Sequence, residues 1–238
     1  MRLLAFEGQY PIEDNPIHNN STFPILSLNK IISKLLLSEK LKKHLIVRLS
    51  EYTIYEDFCY YVWKLLQKNL TPTKMNAPNA IFIQNYLEML NVLIKAPALP
   101  VNETNNEELP EIVDKFLCKP IKLDENAMRR NVNKIWNFIV QWPHNDTTHR
   151  QLLVLLLEKI LVHLEKPTLL TDYLMDSLDI GGPVSLLALQ GIFILIHKYN
   201  MSYPNIYEKL YGMFEPEIFH MKFKPRLFYL ADIFLTST

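Results

Sequence analysis

The residues that could carry out a reaction are few and scattered. His144 and His149 lie five apart, which does not put both on one helical face, so they do not make a metal-ligand pair. The sequence contains no His-Glu-x-x-His, Cys-x-x-Cys or Gly-x-Ser-x-Gly pattern and no phosphate-cradling glycine loop. Gly181-Gly182 is followed by Pro183, which has no backbone N–H. That triplet reads as a helix stop with proline in the first turn of the next helix, not as a phosphate site. Glu215 and Glu217 flank Pro216, and Glu107-Glu108 sits in a polar run; both pairs are expected to be solvated, without the burial that raises a carboxylate pKa for acid–base work. No enzyme, metal, cofactor or small-molecule substrate is expected.

Two other groups suit binding better than catalysis. Tyr203, Tyr207 and Tyr211 recur every four residues, with Lys209 among them, an aromatic stripe at helical spacing. Such a stripe serves core packing with hydroxyls at the edge, or else a partner-binding face. Lys222, Lys224 and Arg226 alternate with Phe223 and lead to Phe228, a basic and aromatic cluster. It reads as a solvated turn, or as a contact for RNA or a partner. Ala188 and Gly191, three apart, would let a neighbouring helix approach closely.

The elements that must position these residues are all helical. Met1–Glu7 reads as the last turn of a helix that Gly8 stops, and residues 9–24 as a loop marked by Pro11, Pro16 and Pro24. Ser27 is the expected cap of a helix carrying Leu28, Ile31, Ile32, Leu35 and Leu36. Helical spacing returns over Glu39–Leu49, with Lys40, Lys42 and Lys43 on the polar side, then over Tyr55–Gln67 and Asn79–Ile94. Residues 95–112 form a polar, proline-marked linker between an N-terminal helical segment, 1–94, and a helical core, 113–238. In that core, helices are expected over Asp124–Val140, over Leu152–Leu164 with Asp146-Thr147 as its cap, and over Thr168–Leu178. The apolar run Val184–Ile196 is shorter than the roughly 20 residues a membrane span needs, and His197-Lys198 ends it. It is expected to be a buried core helix. No segment alternates as a strand. The fold class is therefore all-α, a HEAT-like helical-repeat solenoid of short antiparallel helices.

The totals agree. Hydrophobic residues make up 49% and charged residues 21% of the chain, a globular composition with room for a sizeable core. Twenty-five basic residues balance 25 acidic ones, so no long-range field draws the chain to phosphate, and avid stand-alone nucleic-acid binding is not expected. Cys59 and Cys118 lie far apart and show no disulfide framework, which favours a reducing compartment.

An ordered set of residues carries a resemblance. It comprises Pro167-Thr-Leu169, Asp179-x-Gly181-Gly182, Ser185-Leu-Leu-Ala-Leu-x-Gly191, Tyr203-Pro204-x-x-Tyr207, Lys209-Leu-Tyr211, Phe219-His220, Lys222-Phe-Lys-Pro-Arg226 and Ala231-Asp232-x-Phe234-Leu235. Glu7-Gly8-x-Tyr10-Pro11, Phe23-Pro24 and Glu51-Tyr52-x-x-Tyr55-x-Asp57 extend it upstream. Together they resemble the nucleolar complex protein 4 family, within the wider CCAAT-binding-factor domain family. The likeness is strongest over the last 70 residues or so. Gln190, where the family more usually has Asn, and Pro225 in the basic turn depart from the pattern. The family's members begin earlier and continue further, so the chain is expected to be an internal or shortened portion, truncated at its C-terminus and poorly soluble alone.

The resemblance implies a non-enzymatic scaffold in small ribosomal subunit (40S) biogenesis and pre-rRNA processing, in the nucleolus and nucleus. The implied partners are nucleolar protein 14 and other small-subunit pre-ribosome proteins, with at most weak or indirect contact to pre-rRNA. A generic helical-repeat adaptor unrelated to ribosome assembly is the alternative.

Overall fold

The computed structural model describes residues 23–70, 78–94, 125–203 and 205–236. The expected helix end at Met1–Glu7, most of the loop after it and the linker at 95–112 lie outside those residues. Every described element is helical, and no strand occurs among the described residues. The chain divides into two compact units, the first ending at His144 and the second starting at Asn145.

In the first unit, α1 (Ile25–Leu36) is followed by α2 (Lys43–Val47), a 3-10 turn (Arg48–Tyr52), α3 (Glu56–Lys68), α4 (Ala80–Leu93) and α5 (Glu125–Ile139). Each packs on the helix two along: α1 on α3, α2 on α4, α3 on α5, with α1 also touching α4. This skip pattern belongs to helical-repeat packing. Helix α1 starts two residues before the expected cap at Ser27. Phe23 is buried and stacks on Tyr61 with ring centroids 4.4 Å apart. The Leu28 N–H then donates to the Pro24 carbonyl at 3.1 Å and closes the first turn.

The helix expected over Glu39–Leu49 shortens to α2 for a reason supplied by α4. The side chain of Asn85, fully buried, accepts the Lys42 N–H at 2.9 Å, and its amide donates to the Lys40 carbonyl at 3.4 Å. Those backbone groups are thereby held out of the helix. Lys43, itself exposed, reaches the largely buried Glu88 at 2.9 Å and so adds to a polar seam between α2 and α4. Helix α4 buries Phe82, Ile83, Tyr86, Leu87, Met89, Leu90 and Leu93, apolar side chains on several sides. The Tyr86 hydroxyl donates to the Leu66 carbonyl at 3.0 Å, and burial pushes its pKa upward.

The break between units falls later than the linker at 95–112, because α5 packs back on α3. Trp142 adds edge-on contacts to Phe82 and Tyr86, with centroids 5.8 and 5.3 Å apart. All three tryptophans, Trp63, Trp136 and Trp142, therefore lie in the first unit.

The second unit contains α6 (Asp146–Leu155), a π turn (Leu156–Ile160), a 3-10 turn (Pro167–Leu170), α7 (Thr171–Asp179), α8 (Gly182–Tyr199), α9 (Ile206–Gly212), a second 3-10 turn (Pro216–His220) and α10 (Lys224–Thr236). The cap of α6 is Asn145, not Asp146-Thr147. Its side chain accepts the Thr148 N–H at 2.8 Å while the Thr148 hydroxyl accepts the Asn145 N–H at 2.9 Å, a reciprocal capping box.

Helix α8 is the hub, packed against α6, α7 and α10. By length and composition it is the one described helix able to cross a membrane, yet nine of its 18 residues are buried within the unit, as expected of a core helix. Gly191 makes the closest approach. A Cβ there would meet two Leu174 methyls at 3.0 and 3.2 Å and a Leu157 methyl at 3.3 Å.

Candidate functional site

The turn entering α8 opens one side of the second unit. Gly181 and Gly182 take φ of 87° and 62°, left-handed values that a residue with a Cβ disfavours, and Pro183 follows in the first turn of the helix. Beyond that turn lies a cleft of about 320 Å³. Leu178, Met213, Ile218, Met221 and Phe223 supply its apolar lining. The polar wall is Asp179, whose carboxylate accepts from the Lys209 ammonium, together with Ser185 and Glu215. Ser185 is almost fully buried and points its hydroxyl at the Met213 sulfur, 3.7 Å away.

The four members of the tyrosine group do not form one face. Tyr203 is only 8% exposed and stands before α9, so it is core and not stripe. Asn205, at φ 62°, makes a left-handed turn, and the helix begins only at Ile206. The Tyr203 hydroxyl lies 3.3 Å from the Thr171 hydroxyl, which itself donates to the Thr168 carbonyl. Burial raises the Tyr203 pKa, and the Thr171 contact offsets part of that rise. Tyr207 and Tyr211 are exposed, at 39% and 60%, and Lys209 borders the cleft.

The basic group lies at the start of α10. Lys222 is exposed. The Lys224 ammonium donates to the Phe219 carbonyl at 3.3 Å, and the Arg226 guanidinium donates to the Gln190 side-chain carbonyl. The two departures from the family pattern thus find their places. Gln190 holds Arg226 against α8, and Pro225 sits in the first turn of α10, where its missing N–H removes no helical bond.

Several residues that the spacing did not single out complete the surface. Phe219 is 60% exposed and contacts Phe228 at 6.2 Å between centroids, with Phe214 behind at 5.5 Å. Met213 and Met221 line the cleft. These come from three different turns and one helix, so no periodicity joins them; the available signals were Phe219-His220 in the family pattern and Phe228 in the basic and aromatic cluster. Among the described residues, no three of His, Cys, Asp and Glu gather as a metal site. His149, expected to have no metal partner in His144, instead bonds the buried Ser177 hydroxyl at 2.9 Å and stacks on Tyr173.

Comparison with known proteins places this geometry in context. Residues 185–238 match the CBF/Mak21 family, a segment that begins at Ser185 in α8 and takes in α9 and α10. Nucleolar complex protein 4 homolog A of Xenopus laevis is 35% identical over 253 residues, covering 100% of this chain and 45% of that protein. The Homo sapiens nucleolar complex protein 4 homolog is 30% identical over 240 residues, again 100% of this chain and 46% of its own length. Nucleolar complex protein 4 of Saccharomyces cerevisiae is 35% identical over 121 residues, 48% of this chain and 22% of that protein. The chain spans a little under half the length of the vertebrate relatives it matches. Its segment 185–238 thus matches the CBF/Mak21 family, and along its whole length the chain is similar to the nucleolar complex protein 4 homologs.

Proposed function

We propose that the chain acts as a non-enzymatic scaffold in ribosome biogenesis in the nucleolus, within the assembly of the small ribosomal subunit and the processing of its precursor rRNA. The observation that supports this most is the end-to-end similarity to proteins named for a nucleolar complex. The balance of 25 basic and 25 acidic residues favours contact with proteins over primary binding of RNA. On this reading the partners are nucleolar protein 14 and other small-subunit pre-ribosome proteins. They are met on the face that carries Tyr207, Lys209, Tyr211 and the turn Lys222–Arg226, with pre-rRNA contacted weakly or through those proteins.

The test is affinity purification of the tagged chain from nucleolar extract. Nucleolar protein 14 and small-subunit rRNA precursors are expected to co-purify, and recovery of neither refutes the reading. A cytoplasmic location with normal 18S rRNA maturation after depletion would instead mark a helical-repeat adaptor outside ribosome assembly.

A further inference from the structure

The surface beside the cleft combines three properties that together define a ligand chemistry. First, it exposes large apolar side chains on a connecting turn and the first turns of α10: Phe219 at 60%, Met221 at 46% and Phe228 at 40%. Exposed apolar side chains grouped in this way mark contact sites more often than isolated ones do. Second, Met213 and Met221 line the cleft, and methionine's flexible thioether adapts to the shape of an incoming side chain. Third, Lys222, Lys224 and Arg226 alternate with or directly follow the lining residues Met221 and Phe223, within a chain that is neutral as a whole. The acids at the cleft do not cancel them, since Asp179 is occupied by Lys209, leaving Glu215.

The aromatic geometry separates two kinds of ligand. A single strand of RNA binds on ring faces that are free to take successive bases. Here Phe219 and Phe228 lean on one another at 44°, and Phe214 closes the back of Phe228, so the rings form one continuous shelf. An exposed aromatic shelf in the same segment as the cleft-lining Met221 and Phe223, with three cations interspersed, suits the helix-in-groove mode of recognition.

We propose that this surface takes the apolar face of an acidic amphipathic helix from a partner protein. One bulky side chain enters the cleft against Met213 and Met221, and flanking carboxylates meet Lys222, Lys224 and Arg226. The proposal rests on the scaffold reading above and names the chemistry of the partner at that site.

The probe is a labelled synthetic helix of about five turns, with Leu and Phe at i, i+3, i+4 and i+7 and Glu on its flanks. Its Lys-for-Glu counterpart and labelled oligouridine serve as comparisons, each titrated by fluorescence anisotropy against the full chain. The acidic helix is expected to bind at least about tenfold more tightly than the basic one, and raising NaCl from about 50 to about 500 mM should weaken it. Met221→Glu should remove binding, and Lys222→Glu, at an exposed position, should cost roughly tenfold. Far-UV circular dichroism of both variants shows whether they are folded, and Lys222→Glu keeps the test informative if Met221→Glu is not. Equal binding of the two helices, no binding of the acidic one, tighter binding of oligouridine, or an unchanged affinity in a folded Lys222→Glu variant overturns the proposal. If the tagged chain still recovers small-subunit precursors in any of those cases, the assembly reading stands and only this inference falls.

Discussion

Gly191 offers a direct test of how the second unit is packed. Replacing it with Ala adds one methyl to the middle of α8. On an unobstructed helix that change stabilises by about 1 kcal/mol, because glycine costs backbone entropy there. Here the added methyl lies 3.0 and 3.2 Å from two methyls of Leu174 and 3.3 Å from one of Leu157. Leu174 is fully buried, so turning one methyl away drives the other into its neighbours. Overpacking of this kind costs about 1–3 kcal/mol, and two contacts on one confined side chain place it in the upper half of that range. The net loss is about 1–2 kcal/mol, or roughly 2–8 °C in a thermal melt of a chain this size. Gly212→Ala is the control: nothing lies within 4 Å of its would-be Cβ, so it should melt at or slightly above the parent. Far-UV circular dichroism reads both. A Gly191→Ala variant that melts at or above the parent would refute the close approach of α7 to α8.

Other consequences can be checked in the same way. Asn145→Ala removes the capping box of α6 and should cost about 1 kcal/mol in urea unfolding, while Asn145→Asp should retain most of it. Asn85→Ala leaves the Lys42 N–H without its acceptor at the start of α2, a loss of about 1–2 kcal/mol, and should also speed amide exchange at Lys42. His144 has its pKa lowered by burial, partly offset by its ring N–H donating to the Ile139 carbonyl at 2.8 Å. The folded chain then binds fewer protons than the unfolded one below pH 6.5. Its contribution is therefore complete above that pH and is lost as pH falls through the lowered folded-state value. His144→Gln should flatten that part of the stability profile, as measured by denaturant midpoints across the range.

The all-helical class and most helix positions could be read from apolar spacing, because each helix buries a stripe and its neighbours supply the rest of the core. The glycine pair before Pro183 was equally readable, since left-handed backbone followed by proline leaves few alternatives. What spacing could not supply were contacts between distant segments. Asn85 shortens α2 from across 43 residues, and Trp142 ties the chain after α5 to α4. At regular helical spacing, the leucines, isoleucine and valines of Leu152–Leu164 would cover more than half of a helix's circumference. The π turn at Leu156–Ile160 explains this, because one residue more per turn swings the later apolar residues onto a different side. The tyrosine stripe misled for a local reason. Tyr203 precedes Pro204, and a residue before proline is pushed out of helical geometry. A cleft assembled from four separate elements has no period at all, so the part of the site formed by Met213, Ile218 and Met221 was invisible to spacing.

The placement of the indoles gives the chain a built-in optical partition. Emission excited at the red edge, where phenols no longer absorb, arises wholly from the segment before Asn145. The unit that holds Met221 carries no emitter of its own. Any change in that signal on titration would therefore report an event in the segment before Asn145, and a silent signal alongside a rising anisotropy would place the event in the half without indoles.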